Sequence, residues 1–204
     1  MRPRVYHKNY FILNKCRDKN VLDLGCVGHT SFRFSDLYMG LKGVARTLVG
    51  VDNRPIPPMR EFGFPVFPGD VENLSKVVDI KGKTFDVIVA GDLIEHLFNQ
   101  GKFINSIKPF CHKDTEVIVT TPNCLSTHFF IPNFTKRVKV RTDHTCWHSE
   151  QTLKQLFSMK GFRCTEFHFR DDQKINGIRP IFKVAFKRLF PRCADGLIGV
   201  FKKC

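Results

Sequence analysis

Short apolar runs alternate with segments of helical periodicity along most of the chain. A near-continuous apolar run such as Phe85–Ala90 is typical of a strand buried on both faces of a parallel sheet. The proline in Phe64–Phe67 places that short strand at a sheet edge or a strand start. In all, seven strands are predicted: Asn20–Leu24, Thr47–Asp52, Phe64–Phe67, Phe85–Ala90, Thr115–Thr120, Phe162–Phe169 and Leu197–Phe201.

Helical periodicity follows most of these strands. Helices are predicted at Phe32–Leu41, Leu93–Leu97, Phe103–Ile107, between Ser149 and Gly161, and at Ile178–Phe190. Ser149 is the expected N-cap of the fourth of these, with Thr152 three positions on. The alternation predicts the α/β class, as a single Rossmann-like, doubly wound, seven-stranded and mostly parallel sheet with helices on both faces.

The length and composition suit one globular domain. The chain has 204 residues, of which 42% are hydrophobic, so residues 1–204 are expected to share one core. Within them, residues 124–148 are predicted to form a lid or insertion, and residues 178–203 a C-terminal helix plus a closing strand. The basic N-terminus lacks the apolar stretch of a secretion signal, and the scattered cysteines include no C-x-x-C pair. A cytoplasmic protein with free thiols is expected.

The formal net charge of +14 suggests an anionic partner: nucleic acid, a membrane surface or an acidic small molecule. The basic residues are spread along the chain, and no recognisable nucleic-acid reading module accompanies them. Nucleic acid is therefore not favoured, although a steep salt dependence of RNA binding would favour it. The basic C-terminal helix either packs its apolar face on the sheet, with solvated lysines, or makes a peripheral membrane contact. Packing is favoured.

Acidic and glycine residues stand where the predicted strands end. Ligands of open α/β sheets bind outside the carboxyl ends of the strands. Asp23-Leu24-Gly25-Cys26-Val27-Gly28 follows the first strand and predicts a tight turn with its amides toward a ligand. Asp52 ends the second strand, where a carboxylate can accept both ribose hydroxyls of a nucleoside. Asp70 follows the third, where it can accept from an adenine amino group while Val71 packs on the ring.

This order of motifs resembles the class I S-adenosylmethionine-dependent methyltransferases over nearly the whole chain. The matching stretches are Val21–Cys26, Val49–Asp52, Gly69–Leu74 and Phe85–Asp92. The resemblance implies S-adenosylmethionine as cofactor, bound by Asp23, Gly25, Cys26, Gly28, Asp52, Asn53, Asp70, Val71, Gly91 and Asp92. Val27 stands where that family usually has its second glycine, and Gly28 is expected to compensate by adopting a positive φ. The alternative is a degenerate loop in a catalytically inactive, methyltransferase-like binding protein.

Three further stretches are similar to the branch that contains the ubiquinone-biosynthesis O-methyltransferases: Asp92–Leu97, Thr120–Asn123 and Asp143–Ser149. That resemblance implies a small-molecule acceptor, such as a phenol, a sugar or a lipid-linked hydroxyl, near the 124–148 segment. His96, Glu95 and His144 are the predicted catalytic residues. Asp92, Glu95 and His96 have i, i+3 and i+4 spacing, which would put them on one helix face.

The role of His96 stays open between a general base and a residue that packs beside the cofactor. A divalent metal in this region is allowed but not favoured, and no metal ligand is assigned. Trp147 is expected in the core rather than stacked on a substrate.

Two other enzyme classes compete with the small-molecule methyltransferase. An RNA or protein methyltransferase would explain the charge, but Ala90–Leu93 stands where many amino-directed nucleic-acid methyltransferases have Asp-Pro-Pro-Tyr. A nicotinamide-dependent oxidoreductase would also use Asp52, but it needs a fuller Gly-x-Gly-x-x-Gly loop and usually a substrate domain. The sequence makes no prediction of the oligomeric state.

Overall fold

Eight strands form one sheet in the computed structural model, which describes residues 3–28, 33–56, 65–130, 141–171 and 185–204. The strands are β1 Val5–Tyr6, β2 Asn20–Leu24, β3 Thr47–Asp52, β4 Val66–Pro68, β5 Phe85–Gly91, β6 Cys111–Pro122, β7 Phe162–Arg170 and β8 Gly196–Lys203. Their order across the sheet is β1-β7-β8-β6-β5-β2-β3-β4. Strand β8 is antiparallel to β6 and β7, and the other neighbours are parallel.

The predicted count of seven strands is wrong because β1 was not foreseen. Val5 pairs with Phe169 and Tyr6 with Arg170 at the outer edge of β7. A two-residue strand is too short to show alternation, so only this distant pairing defines it. The bounds predicted for β2 and β3 are those observed, whereas β4 begins at Val66. Phe64, the predicted start of β4, lies outside the described residues.

The α-helices are α1 Lys8–Cys16, α2 Asp36–Lys42, α3 Gln100–Ile107, α4 Thr127–Phe130 and α5 Glu150–Ser158, followed by a short helix at 185–189. Helix α1 was not predicted. Helix α2 begins at Asp36, because the Ser35 hydroxyl accepts from the Tyr38 amide and caps it there. The predicted start at Phe32 lies outside the described residues. Short 3₁₀ turns occupy Val71–Lys76, Val78–Ile80, Ile94–His96, Lys108–Phe110 and Pro191–Cys193.

The predicted N-cap of α5 is confirmed. The Ser149 hydroxyl accepts from the Thr152 amide at 3.2 Å, and the Thr152 hydroxyl accepts from the Ser149 amide at 2.9 Å. This reciprocal capping box satisfies two amide groups that the helix itself leaves unpaired.

Buried residues form two hydrophobic clusters, which alternate residue by residue along the strands. Val21 belongs to one cluster and its neighbour Leu22 to the other. Helices α1 and α2 contribute to the cluster that contains Val21, whereas α3 and α5 contribute to the cluster that contains Leu22. Successive strand residues point to opposite faces, so the clusters lie on opposite sides of the sheet. Within the described part of the chain, no helix is long and apolar enough to span a membrane.

The described part of the predicted C-terminal helix contradicts the polarity expected of that helix. Residues 178–184 lie outside the described residues. Three apolar side chains, Phe186, Leu189 and Phe190, are exposed, whereas Lys187 is buried. Lys187 Nζ lies 3.2 Å from Asp171 Oδ1 and 2.6 Å from Asp195 Oδ2. The expectation of an inward apolar face with solvated lysines is therefore wrong here, because two carboxylates hold the lysine inside.

Candidate functional site

A cavity of about 940 Å³ opens at the carboxyl ends of β2, β3 and β5. Its size is within the range of small-molecule and cofactor sites. All but one of the predicted cofactor-binding residues line it: Asp23, Gly25, Gly28, Asp52, Asn53, Asp70, Val71, Gly91 and Asp92. The exception is Cys26. Of the predicted catalytic residues, His96 lines the cavity, while Glu95 and His144 stand beside His96.

Asp23 lies at the floor of the cavity and is 2% exposed. Its Oδ2 atom has no hydrogen-bond partner among the described residues. Burial, and secondarily the charge of Asp52, raises the pKa of Asp23 to about 8. A hydrogen-bond donor or a cation that binds in the cavity would stabilise this buried carboxyl group.

The glycine loop turns sharply at Gly25, which has a φ of +80°. Gly28 lies outside the left-handed region, so the expectation that it compensates by a positive φ is wrong. The chain instead folds back on itself: the Gly28 amide donates to the Arg33 carbonyl at 2.9 Å. Val27 turns its side chain into the core and donates its amide to Asp52 Oδ2 at 2.8 Å. Val27 therefore belongs both to the core cluster and to the cavity lining.

The side chain of Cys26 is fully buried beneath the loop and does not line the cavity. A Cβ atom added to Gly50 would lie 2.7 Å from Cys26 Sγ, so the thiol fills the space that this glycine leaves. Burial raises the pKa of Cys26 well above its ordinary value. Cys26 therefore packs the loop against β3.

Asp52 joins the glycine loop to the end of β3. Besides the Val27 amide, its carboxylate accepts from the Arg54 amide at 2.9 Å. An ionised carboxylate has about four lone-pair positions, which leaves acceptor capacity for a diol. Asn53 lines the cavity directly beside it.

Asp70 caps the 3₁₀ turn Val71–Lys76. Its Oδ1 accepts from the Glu72 amide at 2.8 Å, and its Oδ2 accepts from Asn73 Nδ2 at 2.7 Å. Asp70 and the largely buried Val71 both line the cavity. This wall therefore offers a carboxylate beside an apolar surface, a combination that fits the amino edge and the face of a purine.

Asp92 occupies a left-handed turn with a φ of +51°, before the 3₁₀ turn Ile94–His96. The predicted helix with Asp92, Glu95 and His96 on one face is therefore wrong. Asp92 forms ion pairs of 2.8 Å with Lys8 Nζ and with Arg170 Nη2. Burial opposes its ionisation, but Arg170 and Lys8 outweigh that effect and hold the pKa of Asp92 below its ordinary value.

Glu95, His96 and His144 form a cluster beside the cavity, which His96 lines. One ligating atom of each lies within 4.8 Å of the others, and the two imidazole rings meet edge to face. Glu95 is 1% exposed, and its Oε2 atom has no hydrogen-bond partner in the described part of the chain. Burial, together with the charge of Asp92, raises the pKa of Glu95 to about 8. The three predicted catalytic residues are therefore close together.

The tautomer of His96 follows from its contact with Asp143. His96 Nδ1 lies 3.0 Å from the Asp143 carbonyl oxygen, which only accepts hydrogen bonds. The proton is therefore on Nδ1, and Nε2 carries the lone pair. Burial and the neighbouring His96 lower the pKa of His144, which favours the neutral form of His144.

Several parts of the cavity wall were not predicted as site residues, among them the start of α1 and Phe98. His7, Lys8 and Asn9, at the start of α1, line it on one side. Phe98, which is 93% exposed, stands at its rim. Their only signal in the sequence is position: Phe98 follows the Glu-His stretch, and the basic N-terminus precedes the first predicted strand.

The segment predicted as a lid is described at residues 124–130 and 141–148; residues 131–140 lie outside the description. Thr142, Asp143 and Thr145 from this segment line the cavity. Trp147 is 39% exposed and packs against Phe129, so its predicted place in the core is wrong.

The arrangement of strands and the cavity agree with the comparisons with known proteins. A family of methyltransferase domains matches residues 7–166. The chain belongs to this methyltransferase family. No curated protein matches it.

Solved structures with the same fold include three methyltransferases. One is an S-adenosylmethionine-dependent methyltransferase from Archaeoglobus fulgidus, with 19% identity, a TM-score of 0.63 and coverage of 96% of this chain and 90% of that one. The N-methyltransferase NodS from Bradyrhizobium japonicum, solved with S-adenosylhomocysteine, has 12% identity, a TM-score of 0.60 and coverage of 96% and 85%. The small RNA methyltransferase HEN1 has 17% identity, a TM-score of 0.64 and coverage of 100% and 26%. At these identities the likeness is one of fold.

The prediction of an S-adenosylmethionine-dependent methyltransferase is confirmed, and with it the prediction of S-adenosylmethionine as the cofactor. The cavity residues fit that cofactor. Asp52 and Asp70 offer acceptors to the ribose and adenine, and Asp23 has a buried oxygen without a partner in the described residues. The comparisons show the methyltransferase family and do not extend to the narrower branch of the ubiquinone-biosynthesis O-methyltransferases.

Proposed function

We propose that this methyltransferase transfers a methyl group to a hydroxyl oxygen, or less favourably a nitrogen, of a small molecule. The observation that carries the proposal is the cluster of Glu95, His96 and His144 beside the cofactor cavity. The acceptor would enter past Asp143, Thr145 and the exposed ring of Phe98, which line the cavity. Asp143 contacts His96, and the Thr145 amide donates to the Glu95 carbonyl, so both lie at the cluster. Phenols, sugars and lipid-linked hydroxyls are the acceptor classes proposed.

The protein contributes mainly by holding the two reactants in line. Bound S-adenosylmethionine supplies an electrophilic methyl group together with a neutral thioether leaving group. His96 Nε2, which carries the lone pair, accepts the hydroxyl proton as the oxygen–carbon bond forms. The Asp143 carbonyl keeps the ring in this tautomer, so His96 needs no rearrangement before it acts as a base.

The same cluster supports a second role for these residues. One carboxylate and two neutral imidazoles are a donor set that suits a divalent transition metal. Glu95 Oε2 has no hydrogen-bond partner in the described residues, and His96 donates its other ring nitrogen to a carbonyl, as metal-bound histidines commonly do. Glu95, His96 and His144 would hold the ion, which would polarise the acceptor oxygen. The proposed acceptor is the same in both cases.

The test measures cofactor binding and methyl transfer separately. His96→Asn should leave the S-adenosylmethionine affinity within about twofold but lower turnover by about 10²-fold or more, since the base or metal ligand is lost. His112→Asn is the matched control, because His112 pairs with Asp86 at the start of β6, outside the cavity lining. Radiolabelled methyl transfer is followed to phenol, catechol, a soluble sugar and total RNA, with and without a chelator.

Loss of activity with chelator, restored by added metal, would select the metal role; activity that persists would select the base. Absence of S-adenosylmethionine binding at millimolar concentration would overturn the proposed function. Transfer to RNA in preference to every small molecule would overturn the choice of acceptor and support the alternative that the net charge of +14 suggests.

A further inference from the structure

The start of α1 forms the wall of the cavity nearest to Asp92. His7, Lys8 and Asn9 all line the cavity, although the glycine-loop and acidic motifs contain none of them. Strand β1 holds this segment in place, because the Arg4 and Tyr6 carbonyls accept from the amides of Phe169 and Asp171. The chain passes directly from β1 into α1, so the first helical turn is fixed against the rest of the site.

Two buried oxygens in this part of the cavity call for hydrogen-bond donors. Asn9 Oδ1 and Asp23 Oδ2 are both buried and have no hydrogen-bond partner among the described residues. The side chain of Asp23 is close enough to Lys8 to feel its charge. Buried acceptors are normally paired, so a ligand that offers several N–H donors fits this place. An ammonium group offers three.

Positive groups lie on the same wall of the cavity. Lys8 Nζ is 2.8 Å from Asp92 Oδ2, at the edge of the cavity. The first turn of α1 contains no acidic residue, and the His7 side chain makes no capping hydrogen bond within the described residues. The first amides of a helix have no partner within it and carry the positive end of its dipole. Together with Lys8 they fit a carboxylate.

We infer that Lys8, Asn9 and the first turn of α1 hold the zwitterionic amino-acid end of the cofactor. Asn9 Oδ1 accepts from the α-ammonium alongside Asp23, and Lys8 with the helix amides faces the α-carboxylate. This inference rests on the proposed function, since it assumes that S-adenosylmethionine occupies the cavity. It assigns the start of α1 to recognition of the methionine portion, at the opposite end of the ligand from Asp70.

The experiment compares two ligands that differ only at that end. S-adenosylhomocysteine carries the amino-acid group, whereas 5′-methylthioadenosine lacks it. Calorimetry is carried out on the full chain and on Asn9→Leu, Asn9→Asp and Lys8→Met. Asn9→Leu and Lys8→Met should each weaken S-adenosylhomocysteine about tenfold or more and change methylthioadenosine by less than about twofold, as expected for a lost hydrogen bond to a charged group. Asn9→Asp keeps the acceptor and should retain most of the affinity.

Several outcomes overturn the inference. Equal weakening of both ligands would mean that α1 only supports the fold, and unchanged S-adenosylhomocysteine binding in both variants would remove α1 from the site. A wild-type chain that binds methylthioadenosine as tightly as S-adenosylhomocysteine would also overturn it, while leaving the nucleoside pocket intact. If neither ligand binds, the proposed function fails as well. Thermal unfolding checks each variant, and Lys8→Met decides alone if Asn9→Leu does not fold.

Discussion

Asp23 opposes folding when it is charged, because the protein buries its carboxyl group and leaves the Oδ2 atom without a hydrogen-bond partner in the described residues. Its pKa is about 8 in the folded chain, against about 3.9 in an unfolded one. Below pH ~4 the group is protonated in both states and has no effect on stability. As the pH rises from there to 8, the unfolded chain loses the proton first, so the free energy of unfolding falls progressively.

Asp23→Asn is therefore expected to raise the free energy of unfolding at pH 8.5 relative to the natural chain, and to change it little near pH 4. The expected difference at the higher pH is on the order of a few kcal/mol, since each pKa unit is worth about 1.4 kcal/mol. Urea unfolding at both pH values measures it. The exposed Asp114→Asn serves as control. A gain that is equal at both pH values would contradict the argument from ionisation.

Single residues of the site were predictable where their role follows from position at a strand end. Asp23, Asp52 and Asp70 all line the cavity as the sequence suggested. The conformation of Gly28 was not predictable, because it depends on the chain folding back to Arg33. The inward turn of Cys26 depends in the same way on a glycine in another strand.

At the scale of elements, the glycine loop and β3 are fitted to each other through Gly50. A Cβ at this position would approach Cys26 Sγ to 2.7 Å, Val66 Cγ2 to 3.0 Å and Tyr38 Cε2 to 3.1 Å. Gly50→Ala is expected to cost about 1–3 kcal/mol of stability through overpacking. Cys26→Ala removes the closest atom, so the double variant should recover part of that loss. Urea unfolding of the two single variants and the double variant gives the coupling energy.

A coupling energy near zero would contradict this account of Cys26, since two residues in contact are expected to couple by about 0.5–3 kcal/mol. Gly82→Ala is a poor control, because Gly82 has a positive φ of 76° and would be strained for another reason. Gly43→Ala is better, because Gly43 is helical and its added Cβ would lie 3.5 Å from the Gly40 carbonyl, an ordinary contact.

The elements whose bounds were predicted correctly are those that a local sequence pattern defines. β2 and β3 have the predicted bounds because their apolar runs are bounded by polar residues and turns. Strand β1 depends on pairing with β7, more than 160 positions away in sequence, and α1 follows it without a capping side-chain hydrogen bond in the described residues. The start of α1 lies at the cavity, so the missed helix also accounts for the missed residues Lys8 and Asn9.

At the scale of the whole molecule, the cavity joins distant parts of the chain. Its wall runs from the start of α1, through the ends of β2, β3 and β5, to Asp143 and Thr145. A ligand that touches all of these parts stabilises the folded chain by about 2.7 kcal/mol at a hundredfold excess over its dissociation constant. For a chain of this length, each kcal/mol corresponds to a rise in melting temperature of roughly 2–4 °C.

S-adenosylhomocysteine is therefore expected to raise the melting temperature by roughly 5–11 °C at that excess.

Hydrogen exchange should show which elements gain protection. Both S-adenosylhomocysteine and methylthioadenosine should protect the amides near Val27 and Glu72, since each contains the nucleoside. Only S-adenosylhomocysteine should slow exchange at the first turn of α1, because only its amino-acid end reaches that wall. The interior of β8, which lies outside the cavity lining, serves as reference. Equal protection of α1 by both ligands would mean that the nucleoside alone orders this wall, and the amino-acid end would then have no part in it.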